Sequence, residues 1–350
     1  MSFSRLGRRR SVAGAAVLAS AALLAGCSSA SSATSGSAPA AAPSAAATGT
    51  VQIAYLSFAV ANSYDAPMLA AAQTVASEEN AKLTVFDANN DPKAQYSQLQ
   101  NVISSGTYQA VILQPIFGTG LTDLVSQAIA KGIKVVNIDQ ILGPNLSTAD
   151  PQVTGLSANV TFVPTDMGTK LGKLAVQACA SKNLNPCKVG YLYDIKASSL
   201  DVAIQKAFAA ATAGTPVQVV AEGQDFFTPA GGLKAVQDML TAHPDLGAVV
   251  GSDQGIEGAV QALSSAGKTG KVLLVGYGGS AAGISGVSSG AWFGTIQQTP
   301  ATEGRLGTQA AVKAVRSNTV TGGVDPLASL PDGGVITSAN VSTFTAEWPG

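Results

Sequence analysis

From residue 51 onward the chain alternates short apolar runs with segments of helical period, through two successive cycles. In the first cycle, strands read at 51–56, 83–86, 110–113 and 134–138, with helices at 66–80, 94–104 and 121–130 between them. Leu99, Val102 and Ile103 recur at helical spacing, and so do Leu121, Leu124, Val125, Ala128 and Ile129. The second cycle places strands at 189–193, 217–221, 248–251, 272–275 and 292–296. Its helices read at 165–180, 200–211, 229–241, 255–265, 281–288 and 301–316. Strands that are apolar throughout, each followed by a helix, form parallel sheets covered on both faces. Two cycles predict an α/β chain of two doubly wound parallel-sheet lobes. About 300 residues follow position 50, enough for two cores.

The N-terminal segment sets the compartment. Arg5, Arg8, Arg9 and Arg10 precede a short uncharged apolar stretch, 12–25, which reads as a signal peptide rather than a membrane span. The stretch ends Leu24-Ala25-Gly26-Cys27, the pattern of a bacterial lipobox. Residues 1–26 are therefore expected to be a lipoprotein signal peptide, with Cys27 lipidated. Residues 27–50 are rich in Ser, Ala, Thr, Gly and Pro and lack charge, as expected of a flexible tether. The protein is expected on the extracytoplasmic face of the bacterial cell membrane, anchored by its lipid.

The chain carries 20 basic and 21 acidic residues. Without the four signal-peptide arginines 16 basic residues remain, a net charge near −5. No basic cluster is left to meet nucleic acid. Cys179 and Cys187 are an even pair in an oxidising compartment, and a disulfide between them is expected. His243, the sole histidine, sits in the turn Ala242-His243-Pro244-Asp245 and offers no partner for metal or nucleophilic chemistry. No cofactor, metal or catalytic group is expected.

In open α/β sheets, ligands bind beyond the carboxyl ends of the strands. The residues there are Asn62, Tyr64 and Asp65; Gln114; Asp139 and Gln140; Asp194; Asp225, Phe226 and Phe227; Asp253 and Gln254; Tyr277; and Gln297 and Gln298. The set is rich in carboxylates, carboxamides and rings, with no Lys or Arg. Carboxylates and amides satisfy hydroxyl groups, and rings cover the C–H face of a sugar. A neutral or cationic polyol suits such a lining better than an anion, which would call for Arg. Some members have local alternatives: Asn62 as a turn residue, Asp139 and Asp253 as caps, Tyr64 and Phe226 as core rings.

The chain resembles the ribose/galactose-type periplasmic sugar-binding proteins, the type I receptors of ABC importers, over 51–317. The run 61–65 is similar to that family's Asn-Asn-Pro-Phe-Phe segment, and Asn137-Ile138-Asp139-Gln140 to its Leu-Asp-Arg. Asp225-Phe226 resembles the Asp-Phe pair whose ring closes over the sugar, and Thr295-Ile296-Gln297-Gln298 a hinge segment carrying a binding glutamine. The resemblance implies ligand contacts at Asn62, Tyr64, Asp65, Asp139, Gln140, Phe226, Asp253, Gln254 and Gln298. Four positions depart from the pattern. Gln140 stands for an arginine, Asp65 for an aromatic and Gly278 for a carboxylate; the helix 200–208 lacks an arginine.

The resemblance also implies a three-strand hinge, with crossings near 152–156, 298–300 and 326–330. The N-terminal lobe would be 51–153 plus 300–328, and the C-terminal lobe 154–299 plus 329–350. It implies a receptor that closes on a sugar or related polyol and delivers it to ABC permease subunits; a monomer without enzymatic activity is expected. A receptor for a membrane signalling protein would use the same clamp. A hydrolase would need a paired catalytic set, and a repressor an N-terminal helix-turn-helix.

Overall fold

The structure is a computed structural model describing residues 49–350. Signal peptide, Cys27 and all but the end of the tether fall outside the described residues.

Two six-stranded sheets form the body. The first contains β1 (Val51–Ser57), β2 (Ala81–Asp87), β3 (Ala110–Leu113), β4 (Lys134–Asp139), β5 (Ala158–Thr161) and β11 (Gly322–Val324), in the order β11-β5-β4-β3-β1-β2. All its pairings are parallel. The second contains β6 (Cys187–Tyr193), β7 (Val217–Gln224), β8 (Ala248–Ser252), β9 (Leu273–Tyr277), β10 (Gly294–Ile296) and β12 (Val335–Thr337), in the order β12-β10-β9-β8-β6-β7. Only β12 runs antiparallel there. Every residue of β3, β5 and β8 is buried, as strands covered on both faces require.

Helices α1 (Asp65–Glu78), α2 (Pro92–Ser105), α3 (Gly118–Ala130) and α9 (Pro300–Ser317) belong to the first lobe. Helices α4 (Pro164–Ser181), α5 (Ser199–Thr212), α6 (Pro229–Ala242), α7 (Asp253–Ser265) and α8 (Ala281–Ser288) belong to the second. Their starts follow local chemistry. Asp91 accepts from the backbone N–H of Lys93 at 2.8 Å and Pro92 opens α2; Thr228 accepts from Gly231 at 3.1 Å and Pro229 opens α6. Cores form on each face of each sheet, among them Leu99, Val102 and Leu124 in the first lobe and Leu171, Phe208 and Val250 in the second.

The expected Cys179–Cys187 disulfide is present, with Cα atoms 5.9 Å apart, and ties the end of α4 to the start of β6.

The first lobe crossing lies later than the expected 152–156. Strand β5 pairs with β4, so the first lobe runs to Thr161 and the chain crosses at 162–163, ahead of α4. The strand is short and its register is set by side chains as well as apolar burial. Asn137 Nδ2 donates to Asn159 Oδ1 at 2.7 Å, and Asn159 Nδ2 to the Ala149 carbonyl at 2.7 Å. The stretch to 328 is also shorter than expected: β11 ends the first-sheet portion at Val324, and Leu327 packs into the second lobe's core.

Candidate ligand-binding site

Side chains from both lobes line one cavity, at the point in each sheet where strand order reverses. In the first lobe this lies past the carboxyl ends of the neighbours β1 and β3; in the second, of β6 and β8. The cavity has a volume of ≈ 50 Å³, room for a small guest.

Gln114, which follows β3, organises the first-lobe wall. Its Oε1 accepts from the Phe58 N–H at 3.0 Å. Its Nε2 donates to Asp65 Oδ1 at 2.6 Å and to Asp139 Oδ2 at 3.1 Å. One neutral amide thus joins two buried carboxyl groups. Asp139 sits at φ 65°, the left-handed region, and Asn137 Nδ2 braces that turn by donating to the Gln140 carbonyl at 2.6 Å. Burial pushes Asp139 up to about 7, with the Gln114 bond pulling the other way. Asp65 is raised well above the ordinary range, first by burial and then by the Asp139 charge.

Asn62 combines two roles. It lines the cavity, and its Oδ1 accepts from the Tyr64 N–H at 2.8 Å in an Asx turn. The Tyr64 hydroxyl donates to Glu303 Oε1 at 3.4 Å. Gln140 and Gln298 also line the space. Gln254 lines it from the second lobe, and its Nε2 donates to Ser63 Oγ of the first at 2.9 Å.

Asp194 heads the second-lobe wall. Its Oδ2 accepts from the Tyr277 hydroxyl, and the Asp225 carboxyl is packed against it. Asp201 fixes the turn beside it, accepting from the Asp194 N–H at 2.9 Å, the Ile195 N–H at 3.0 Å and Ser198 Oγ at 2.7 Å. Asp225 stands behind, accepting from the Phe227 N–H at 2.8 Å and from Ser252 Oγ at 3.3 Å.

Two of the expected contacts lie elsewhere. Phe226 and Phe227 both have φ of 56°, and this tandem left-handed turn sends Phe226 outward, 58% exposed. Phe227 takes its place in the cavity, edge to face with Phe58 at 6.1 Å. Asp253 is fully buried off the cavity. Its Oδ1 accepts from Thr295 Oγ1 at 2.6 Å, and its Oδ2 from the Ser280 N–H at 2.8 Å and Ser280 Oγ at 2.9 Å. It ties together β10, α8 and α7. Ser252, which caps α7, lines the cavity instead.

Trp348, in the tail beyond the last strand, also lines the cavity. Its ring meets Tyr64 edge to face at 5.3 Å, and its Nε1 donates to the Gly278 carbonyl at 2.8 Å. Gly278 makes this possible: at φ 142° a Cβ there would stand 2.6 Å from the indole. The tail spans both lobes. Glu347 accepts from the Thr302 N–H at 2.8 Å and Thr302 Oγ1 at 2.6 Å, in the first turn of α9. The Trp348 carbonyl accepts from Ala281 at 2.9 Å, at the start of α8. With Gln254–Ser63, Phe58–Phe227 and Tyr64–Trp348, these contacts hold the lobes closed.

Residues 53–319 match the family model described as periplasmic binding protein domain. The chain belongs to that family. Among curated members it is 30% identical to the ribose import binding protein of Escherichia coli (strain K12), over 71% of this chain and 79% of that protein. It is 28% identical to the ribose import binding protein of Bacillus subtilis (strain 168), over 67% and 72%. A solved periplasmic-type relative, an ABC transporter solute binding protein from Mycobacterium smegmatis with bound glycerol, superposes with a TM-score of 0.72 at 25% identity, covering 86% of this chain and 100% of that one. A Bacillus halodurans C-125 solute binding protein with bound myo-inositol shares the fold, with a TM-score of 0.75 at 20% identity, covering 86% and 99%.

The site makes two expectations concrete. Phe227→Ala is expected to weaken ligand binding by roughly tenfold through loss of a ring against the guest, and Phe226→Ala to change it by less than about twofold. Calorimetric titration of both variants checks this; equal losses would place Phe226 at the guest. The second concerns pH. Asp139 at about 7 and Asp253 at about 6 bind protons more tightly folded than unfolded, both chiefly through burial. Their contribution to stability is complete below the unfolded carboxyl pKa and is lost as pH rises through 6–7. The ligand-free protein should melt at lower temperature near about pH 8 than near about pH 5. Differential scanning calorimetry at constant ionic strength reads this directly, and a melting temperature climbing with pH contradicts it.

Proposed function

We propose that this protein is an extracytoplasmic receptor that captures a small polyhydroxylated guest, a sugar or related polyol, and hands it to the permease subunits of an ABC importer. The observation that carries the reading is the shared cavity. Asp139 and Gln140 come from one lobe, Tyr277 and Gln254 from the other, and both sets face the same space. A guest touching both lobes favours the closed form through contacts the open form lacks. Carboxylates and amides take hydroxyl hydrogen bonds, and Tyr64, Phe227 and Trp348 cover apolar ring faces. Binding is reversible, with no bond made or broken.

The ribose import proteins among its relatives and the polyols bound in its structural neighbours support the ligand class. In this reading Asn62, Tyr64, Asp65, Asp139, Gln140, Gln254 and Gln298 contact the guest, joined by Phe227 and Trp348. The lipid on Cys27 holds a monomeric receptor at the membrane by the tether 27–50. Fractionation tests the anchor: Cys27→Ser should move the protein from the membrane to the soluble fraction, and unchanged membrane recovery would sink it.

Thermal-shift screening of the purified protein against sugars, alditols, inositols, nucleosides and amino acids tests the ligand class. A polyol should raise the melting temperature in proportion to the logarithm of its concentration above the dissociation constant. A shift by amino acids or nucleosides alone would overturn the reading.

A further inference from the structure

The cavity has an unbalanced charge. Asp65, Asp139 and Asp194 all line it, and no Lys, Arg or His does. The groups packed behind them have the same sign or none. On the first lobe these are Tyr55, Tyr64 and Glu303; Glu303 is fully buried, with Oε2 unpartnered. Glu347 of the tail adds a further acidic group near Glu303. On the second lobe Asp201, Asp225, Tyr191 and Tyr277 surround Asp194. Neutral donors alone, Gln114 and Tyr277, meet the two carboxylates that front the space.

Each lobe presents one carboxylate to the cavity, and no cation meets either. Asp139 accepts only from Gln114, through Oδ2, among the described residues. Asp194 is 1% exposed on the cavity wall, with only uncharged or acidic groups, Tyr277, Ser252 and Asp225, against its carboxyl. In each lobe a second buried acid is packed against the first. Asp65 is raised by burial and the Asp139 charge, and Asp225 by burial and the Asp194 charge. Rings border the same space: Tyr64 and Trp348 on one side, Phe58 and Phe227 on another. Ring faces attract cations. A buried carboxylate without a counter-charge is costly, and a cation that also donates hydrogen bonds removes that cost.

We infer that the guest is a polyol carrying a protonated nitrogen, an amino or imino polyol, held with its positive charge between Asp139 of one lobe and Asp194 of the other. The inference rests on the polyol reading above and narrows it. Hydroxyls meet Asn62, Gln140 and Gln298, while the ammonium group supplies the charge that no side chain of the cavity provides.

Matched pairs separate the two ideas. Titration calorimetry compares 1-amino-1-deoxy-alditols of four to six carbons with their parent alditols, and imino sugars with the corresponding anhydro alditols. The aminated member of the binding pair is expected to bind tighter by about tenfold or more at about pH 8. Its affinity should rise from about pH 6 to about pH 8, as carboxylates lose protons that an alkylamine keeps. Asp194→Asn should cut the ratio of amine affinity to parent affinity by about tenfold, whatever it does to the two together. Asp139→Asn provides the same reading should the first variant fail to fold. A parent alditol binding as tightly as its amine, or an amine advantage that survives loss of the carboxylate charge, overturns the inference and leaves the polyol reading standing. Failure of every amine and every parent to bind overturns both.

Discussion

Replacing Asp139 by alanine is expected to cost the protein its ligand while leaving it folded. Asp139 ends β4 with one oxygen on Gln114 and the other unused, facing the space between the lobes. A carboxylate accepting two hydrogen bonds from a guest contributes about 1.5–3 kcal/mol for each, so affinity should fall by roughly 100-fold or more. The folded state has little to lose. Alanine at φ 65° is strained by about 1 kcal/mol, but the substitution also removes a buried charge beside Asp65. Asp139→Asn, which tolerates the same backbone and keeps an acceptor for Gln114, should fold as well and bind with intermediate affinity. Calorimetric titration with the polyol found by screening, beside a thermal melt, separates the two effects. Undiminished affinity in Asp139→Ala would remove this carboxylate from the site.

Asp253→Ala should behave in the opposite way. Asp253 accepts from Thr295 Oγ1 and from the Ser280 N–H and hydroxyl, all within buried structure. The substitution leaves those donors unpaired and opens a small void where β10, α8 and α7 meet. The expected loss is about 3 kcal/mol, which lowers the melting temperature by several degrees in a chain of this size. Affinity in the folded variant should stay within about threefold, because Ser252 and not Asp253 borders the cavity. A variant as stable as the parent protein but defective in binding would return Asp253 to the ligand.

These two aspartates mark where sequence reasoning reached and where it stopped. Asp139 follows a continuous apolar strand, and the rule that ligands lie past carboxyl ends of parallel strands is enough to select it. Asp253 also follows an apolar strand, but one residue of register decides the outcome. Ser252 occupies the cap that borders the cavity, and Asp253 turns inward. The same one-residue ambiguity separates Phe226 from Phe227. It is resolved by two consecutive left-handed residues that nothing in Asp225-Phe226-Phe227 announces.

Both sheets were legible because β1, β3, β4, β6 and β8 are apolar runs between helices. Strand β5 was not, since Asn159 and Thr161 break its apolar run, and Asn159 finds its partners in Asn137 of β4, the Ala149 carbonyl and Thr161 itself. Trp348 was beyond reach for another reason. Its place depends on the tail crossing both lobes and on the space left by Gly278, contacts separated by 70 residues of sequence.

The polyol identified by screening, soaked or co-crystallised with the full protein, gives the most direct test. One guest is expected per chain, in contact with Asp139 on one lobe and with Asp194 or Tyr277 on the other, its ring or carbon chain against Trp348. A guest lodged in the outer groove beside Phe226 and His243, or touching one lobe alone, would contradict the account.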